Sequence, residues 1–280
     1  ERLLYCSLTV YCQAGPLSQE AGHDLNYLAL TGVLGSIGPT DGPPVVPLNL
    51  VADFAGGSFV ATIGILAALI ERHSSGKGQF IDAAMIDGCL SLMAMHSPMW
   101  GEPVMPGRGR GWLSGAAPYY RCYVCKDGGY VAVGALEPQF FAELWGDLVG
   151  GLVPDQMDTT QWPAIEAALA QALGQRTRDE WATHFAGRDV CVFPVLNPRE
   201  AWAQPHVRKR HPDASASEPP TMPRFGRTPL PIPETDVNDR SVEVLSGVGL
   251  TLEEIERASP PRERELNTRA GSGWPPPLRA

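Results

Sequence analysis

The sequence predicts an α/β protein in which a layered α/β domain is followed by a smaller α+β domain. Three observations predict it. Strand-like and helical patterns alternate through residues 1–100, a glycine- and arginine-rich segment interrupts them, and two strand-like runs then flank Asp127-Gly128-Gly129.

Leu3 to Thr9 is rich in aliphatic, aromatic and β-branched residues and reads as a short strand running into a Gln13-Ala14-Gly15-Pro16 turn. From Asp24 to Leu34 apolar residues recur at helical spacing, with His23 or Asp24 at the start, where a polar cap belongs. Gly38 to Pro47 holds four prolines and two glycines and breaks the pattern. Asn49 to Arg72 reads as a long helix, apolar almost all round and therefore central to a core, with Ser74-Ser75-Gly76 closing it. Gly76-Lys77-Gly78 lacks the rest of a phosphate-loop pattern and reads as a helix-to-strand turn. Gln79 to Met85 is strand-like and Ile86 to Met95 helical.

Residues 101–118 form a crossover, and the strands Tyr119 to Lys126 and Tyr130 to Ala135 make a hairpin, because glycines accept the positive φ angles of tight turns. Helices are expected at Pro138 to Val149, Trp162 to Leu173 and Thr177 to Phe185, then a strand at Cys191 to Leu196. Pro205 to Pro233 reads as an irregular strap. Ser241 to Ser246 and Thr251 to Ala258 read as a short helical pair capped by Thr251. The expected organisation is a large α/β domain over 1–100, a linker over 101–118 and a small α+β domain over 119–200. A return strap with C-terminal helices follows over 201–258, and a disordered tail over 259–280.

With 280 residues and 44% hydrophobic content the chain can bury a substantial core. Its net charge of −9 argues against nucleic-acid binding, which needs a basic stripe, so an anionic ligand must be held locally. The six scattered cysteines fit reduced thiols in a cytoplasmic protein. Cys122-x-x-Cys125 has no second ligand pair at metal-site spacing, so neither a metal nor a resident cofactor is expected. The apolar run Phe59 to Ile70 is too short to cross a bilayer and reads as a buried helix. Glu1-Arg2-Leu3-Leu4-Tyr5-Cys6 has neither an initiator methionine nor an export leader.

Three titratable residues, His23, Asp53 and Glu137, stand next to breaks in the expected elements, where side chains face clefts. Each has a structural alternative. His23 can serve as a helix cap, Asp53 can favour a helix dipole, and Glu137 before Pro138 can open a helix.

The blocks "AGHDLNYLALTGVLGSIG", "PLNLVADFAGGSFVATIGILAALIERHSSGKGQFIDAAMIDG" and "GYVAVGALEPQFFAELW" resemble the family III CoA-transferases, and within them the acyl-CoA racemase branch. The likeness runs from about Leu3 to Leu196 and returns in Pro223-Arg224-Phe225 and "VEVLSGVGLTLEEIERA". It implies a Rossmann-like large domain, incomplete here at its N-terminal end, and an interlocked homodimer whose active site is shared between subunits. It implies an acyl-CoA thioester as substrate, with the CoA belonging to the substrate. The histidine of "AGHD" and the aspartate of "ADFAGG", here His23 and Asp53, are implied to be the acid/base pair. The glutamate of "EPQF", here Glu137, is implied to orient the histidine, in trans if the site is shared.

Such a pair suits inversion next to a thioester carbonyl, where one group removes a proton from one face and another returns one to the opposite face of an enolate. Helix-end amides near Gly56 and Gly57 are a source of enolate stabilisation. The expected substrate-binding set is Tyr27, Gly56, Gly57, Met99, Met105, Arg108 and Arg110. Met99 and Met105 are the better candidates for an adaptable acyl surface, while Met93 and Met95 fit core filling equally well. Arg108 and Arg110 are candidates for a CoA phosphate or are solvated loop residues.

Val10 and Cys12 replace the two leading glycines of a pattern resembling T-G-x-G-Q-x-G-P, and Trp112, Ser114 and Ala116 depart from one resembling N-M-L-D-G-G-A-P. A side chain in place of glycine restricts positive φ and close ligand approach. Two other functions remain: a CoA-transferase with Asp53 as nucleophile, and a non-catalytic partner subunit. His23 discriminates against the first, since the transferases generally lack the "GHD" arrangement.

Overall fold

In the computed structural model, which describes residues 1–212, 214–215, 222–228 and 241–258, β1 (Tyr5–Thr9) and β2 (Phe80–Ala84) pair in parallel, Tyr5 opposite Phe80 and Thr9 opposite Ala84. A parallel pair needs a long crossover. Here it comprises α1 (Asp24–Leu30), α2 (Val33–Ser36), a π-helix (Leu50–Ser58) and α3 (Phe59–Ser75), after which α4 (Met85–Leu92) follows β2 directly. Gly76 ends α3 at φ 75°, and the N–H of Gly78 donates to the Glu1 carbonyl at 2.7 Å. A Cβ at Gly78 would collide with the Leu3 carbonyl, so only glycine lets the returning chain enter beside β1.

Two expected helices differ from their sequence patterns. The first stops at Leu30, because Thr31 turns its hydroxyl back to the Tyr27 carbonyl and Gly32 adopts φ 80°, so Val33–Ser36 is a separate turn. The second begins with nine residues wound as a π-helix, in which the Phe59 N–H donates to the Phe54 carbonyl, five residues back. Together Leu50–Ser75 is 26 residues of continuous helix. It is the one helix among the described residues long and apolar enough to cross a bilayer, which corrects the shorter run read from the sequence; only 22% of its apolar window is buried, so the expectation of a buried core helix is not met either. Its Phe59, Ile63, Leu66 and Ile70 are exposed along one stripe.

The expected hairpin forms as β3 (Tyr120–Val124) and β4 (Tyr130–Gly134), with β5 (Val192–Pro194) antiparallel on the other side of β4. Tyr123, Val131, Val133 and Val192 alternate inward onto α5 (Pro138–Leu148), α6 (Trp162–Leu173) and α7 (Arg178–His184). Their core holds Phe141, Leu144, Ile165, Leu169 and Leu173, each at most 1% exposed. Buried polar tips find partners: the Tyr123 hydroxyl donates to the Pro118 carbonyl at 2.6 Å and Trp181 Nε1 to the Leu173 carbonyl at 2.7 Å. The described strands thus form a two-stranded parallel and a three-stranded antiparallel sheet, a mixed α/β architecture. The larger parallel sheet of a Rossmann-like domain is not formed among the described residues.

The chain separates into two compact units, Glu1–Leu196 and Asn197–Ala280. In the second, α8 (Pro198–Ala203) and α9 (Pro205–Arg210) occupy the start of the expected strap. Both begin with proline at the first helical position, where its missing N–H costs nothing, behind Asn197 and Gln204 side chains that accept first-turn N–H groups. The helical pair is present as α10 (Ser241–Gly247) and α11 (Leu252–Ala258), and Thr251 caps α11 in reciprocal bonds with Glu254. The strap residues 229–233 and the expected tail, 259–280, lie outside the described residues.

One ionic network ties α5 to the end of α7. Asp147 carries His184 Nε2 at 2.6 Å and Arg188 Nη1 at 2.7 Å. Burial pushes the Asp147 carboxyl up, but hydrogen bonds from Arg188 and His184 outweigh it and hold the group below its ordinary range. A carboxyl depressed in the folded state stabilises while ionised and loses that effect as pH falls through its folded value. Asp147→Asn is expected to cost about 1 kcal/mol at neutral pH, with the deficit closing as pH falls from about 4 toward 2. Urea unfolding of both proteins across that range checks it.

Candidate active site

α1 starts at Asp24 because His23, extended at φ −128° and ψ 173°, stands as its N-cap. Asn26 Oδ1 accepts the His23 N–H at 3.0 Å, and the Asn26 N–H donates to the His23 carbonyl at 2.8 Å, so the helix start is fixed and the exposed imidazole lies at its mouth. Asp24 turns inward. It is 6% exposed, and its Oδ2 accepts the N–H groups of Ala52 and Asp53, both at 2.9 Å. First-turn N–H groups have no partner within their own helix. The carboxylate that satisfies them comes from 28 residues earlier in the chain, and it locks the backbone of Asp53 beside the residue that follows His23.

The half-buried Asp53 carboxylate accepts Asn49 Nδ2 at 3.1 Å, and the Ser58 hydroxyl donates to the Asp53 carbonyl at 2.9 Å. Tyr27, one turn beyond His23, is buried and donates its hydroxyl to the Gly22 carbonyl; Tyr11 meets its ring edge-on at 5.5 Å. Burial first, and the Asp53 carboxylate next, hold the Tyr27 phenol above its ordinary value. His23, Tyr27 and Asp53 are therefore gathered around the junction of α1 with the π-helix.

Gly56 and Gly57 lie at the crossing of the π-helix and α4. A Cβ at Gly56 would stand 3.0 Å from the Cys89 nitrogen, one at Gly57 2.9 Å from the Ala52 carbonyl, and one at Gly88 would collide with the Gly56 carbonyl. Backbone meets backbone there, which only glycine permits. Glu137 lies elsewhere in the unit, exposed at the N-cap of α5, and no hydrogen bond joins it to His23 among the described residues. Its charge, after burial, raises the Cys191 thiol.

Met93 and Met105, 8% and 5% exposed, line a cavity of about 380 Å³. Met99 ends the short turn Ser97–Met99 and is outside the cavity wall, and Met95 is exposed. Arg108 is engaged with the proline-rich loop, donating Nε to the Pro39 carbonyl at 3.0 Å and Nη2 to the Gly42 carbonyl at 2.6 Å, while Arg110 is exposed. Among the positions where glycine was expected, Cys12 adopts φ 69°, with its thiol 2.7 Å from the Ala14 carbonyl; Val10 and Ala116 have no positive φ. Ser114 both accepts the Gly111 N–H and donates to the Gly111 carbonyl at 2.8 Å.

Sequence reasoning missed Asp24, Asn49 and Gly88 as parts of the site. Asp24 carries one readable signal: an acidic residue directly after a capping histidine is redundant for its own helix, and a redundant carboxylate has other N–H groups to serve. Among the described residues no three His, Cys, Asp or Glu side chains gather as a metal site requires.

The model of CoA-transferase family III matches residues 1–236. The alpha-methylacyl-CoA racemase of Mus musculus is 42% identical over 270 residues, which take in 91% of this chain and 69% of the mouse protein. That of Homo sapiens is 37% identical, with the same shares of 91% and 69%. Succinyl-CoA:glutarate CoA-transferase of Homo sapiens is 31% identical over 73% of this chain and 48% of its own length. A CAIB/BAIF family protein from Brucella suis shares the fold, with a TM-score of 0.70 at 24% identity over 88% of this chain and 68% of its own.

Asp24→Ala leaves two N–H groups at the head of the π-helix unpaired and is expected to cost about 3 kcal/mol in urea unfolding. Asp24→Asn, which keeps an acceptor without the charge, should recover about half of that loss.

Proposed function

The chain belongs to CoA-transferase family III, and on that footing we propose that it racemises 2-methylacyl-CoA thioesters. The observation that carries this reading is the Asp24 carboxylate, which joins the start of α1 to the start of the π-helix and so holds His23 and Asp53 at one junction. Alpha-methylacyl-CoA racemases at 42% and 37% identity support the same choice.

In this reading the neutral His23 imidazole removes the proton from the carbon next to the thioester carbonyl, and the electron pair of that C–H bond passes to the carbonyl oxygen as an enolate. The Asp53 carboxyl returns a proton to the opposite face, and the roles exchange for the other enantiomer. Gly56 and Gly57 lie inside the continuous helix Leu50–Ser75, and the Ala52 and Asp53 N–H groups already serve Asp24, so the helix-end amides expected near the two glycines are not the enolate's donors. Tyr27 keeps its proton, with its hydroxyl engaged by the Gly22 carbonyl. Glu137 acts in trans within a homodimer, orienting the His23 imidazole of the other subunit; its exposed place at the start of α5 suits that role.

The likeness to succinyl-CoA:glutarate CoA-transferase favours a second reading, in which the Asp53 carboxylate attacks the thioester carbonyl carbon, the C–S bond breaks to release CoA thiolate, and a mixed anhydride with Asp53 is left. One experiment separates the two. A chiral 2-methylacyl-CoA incubated in deuterated water should gain deuterium at the α-carbon with inversion, and His23→Ala should slow this by about 10² or more. CoA exchange that depends on an added acceptor acid would favour the transferase, and neither reaction would leave the chain as a non-catalytic partner subunit.

A further inference from the structure

The three-stranded sheet has one face on its core and one face away from it. Tyr123, Val131, Val133 and Val192 point into the core, so Cys122, Ala132 and Phe193, which stand opposite one another across β3, β4 and β5, point to the other face. Tyr120, Gly134 and Cys191 form the next row, in which the Gly134 N–H donates to the Cys191 carbonyl at 2.9 Å. The central strand therefore offers only Ala132 and Gly134 between larger neighbours. The result is a trough of about 720 Å³ along β4, walled further by Pro39, Ser114 and Gly115. Among the described residues that line it no side chain is acidic, and the one cation, Arg121, stands in the inward row with Val133 and pairs with Glu166 of α6 at 2.5 Å. Beyond Gly134 the chain turns at Leu136, whose N–H donates to the Gly134 carbonyl at 2.9 Å, and reaches the exposed Glu137, whose charge acts on the Cys191 thiol.

We propose that this trough holds the apolar body of a long acyl chain, laid along β4 with its thioester end toward Glu137. The acyl identity of the ligand rests on the racemase reading; the selection of a single extended apolar chain does not. Width decides the class of occupant. Neighbouring strands lie about 4.8 Å apart, so β3 and β5 flank β4 at about 10 Å from each other, and their larger side chains narrow the gap. A helix with its side chains is about 10 Å across and does not enter. An extended peptide would bring backbone N–H and C=O groups that a sheet face, its own groups paired within the sheet, cannot serve. An aliphatic chain has neither obstacle. At about 30 Å³ for each non-hydrogen atom, as in liquid water, the volume holds roughly two dozen atoms. Chain length is then the selected property, because each further methylene laid beside Ala132 and Phe193 leaves water.

Cys122 is exposed in the trough and reports its occupancy. The full chain is treated with iodoacetamide, and alkylation of Cys122 is followed by peptide mass against that of Cys6 and Cys12. The added probes are 1-hexanol and 1-decanol, which carry no charge for Glu137 to repel. 1-Decanol is expected to slow Cys122 at concentrations about tenfold or more below those 1-hexanol needs, with Cys6 and Cys12 unaffected. Ala132→Leu fills the trough and should remove that protection. Gly134→Val should do the same, and its first added carbon meets only the Cys191 carbonyl, at 3.9 Å. Equal potency of the two alcohols, or protection that survives both substitutions, overturns the proposal. So does protection of Cys122 that grows with protein concentration when no probe is present, the result of a second copy seated on this face. 2-Methylhexanoyl-CoA and 2-methyldecanoyl-CoA are then followed for α-deuteration. Selective protection by 1-decanol without deuteration of either thioester rejects the racemase reading and leaves the trough standing. Deuteration of both thioesters that is indifferent to Ala132→Leu and Gly134→Val does the reverse.

Discussion

Asp24 places a carboxylate under the first turn of α1 and directs one of its oxygens at two N–H groups of a different helix. Between the two helices only the single turn α2 is regular, and the proline- and glycine-rich loop after it forms no helix or strand that would hold them in register. A charge-assisted pair of hydrogen bonds in a buried setting does so instead, and the donors are groups that a helix cannot satisfy by itself. The second oxygen, Oδ1, is buried without a hydrogen-bond partner among the described residues, so none of these competes for the carboxylate. Position follows from this constraint: His23 is covalently next to Asp24, Asp53 owns one of the two N–H groups, and Tyr27 feels the charge of both carboxylates.

Behind that junction the helices meet at glycine. The π-helix and α4 touch backbone to backbone through Gly56 and Gly88, where a Cβ has no room, and the Met85 side chain packs over Gly57. Close backbone contact is stiff, since no side chain rotates to absorb a displacement. The parallel strands β1 and β2 feed this arrangement from one side, with α4 leaving β2 directly and the Ile86 N–H donating to the Val10 carbonyl at 3.3 Å. Rigid elements thus back a junction at which His23 and Asp53 lie near the starts of their helices, where side chains can reach out of the packed layer.

Local signals made much of this fold legible. Trp162–Leu173 follows its apolar periodicity from end to end, the Asp127-Gly128-Gly129 turn announces β3 and β4, and Thr251 caps α11 as its neighbours Glu253 and Glu254 imply. His23 and Asp53 are legible only through the blocks around them, since each has a sufficient local explanation. What stays hidden is what depends on distant partners. Asp24 reads as an ordinary first-turn acid because its two bonds span 28 and 29 residues. The π winding of Leu50–Ser58 is invisible because the segment is apolar on nearly every side and matches no period better than another. Cys12 at φ 69° shows the limit of steric rules: the loop imposes a left-handed conformation that its sequence disfavours, at a cost of about 1 kcal/mol or more.

Each turn of the wide helix at Leu50–Ser58 takes in one residue more than an ordinary turn would. Deleting a single residue there would tighten the winding to the commoner form, and it would also draw the Ala52 and Asp53 N–H groups off Asp24 and shift Gly56 against α4. Asp53 and its amide would not survive that shortening in place, because they lie inside the segment that rewinds. The winding that leads into Phe59–Ser75 and the bonds that fix the Asp53 backbone thus lie in the same nine residues, so a change of length there disturbs both at once.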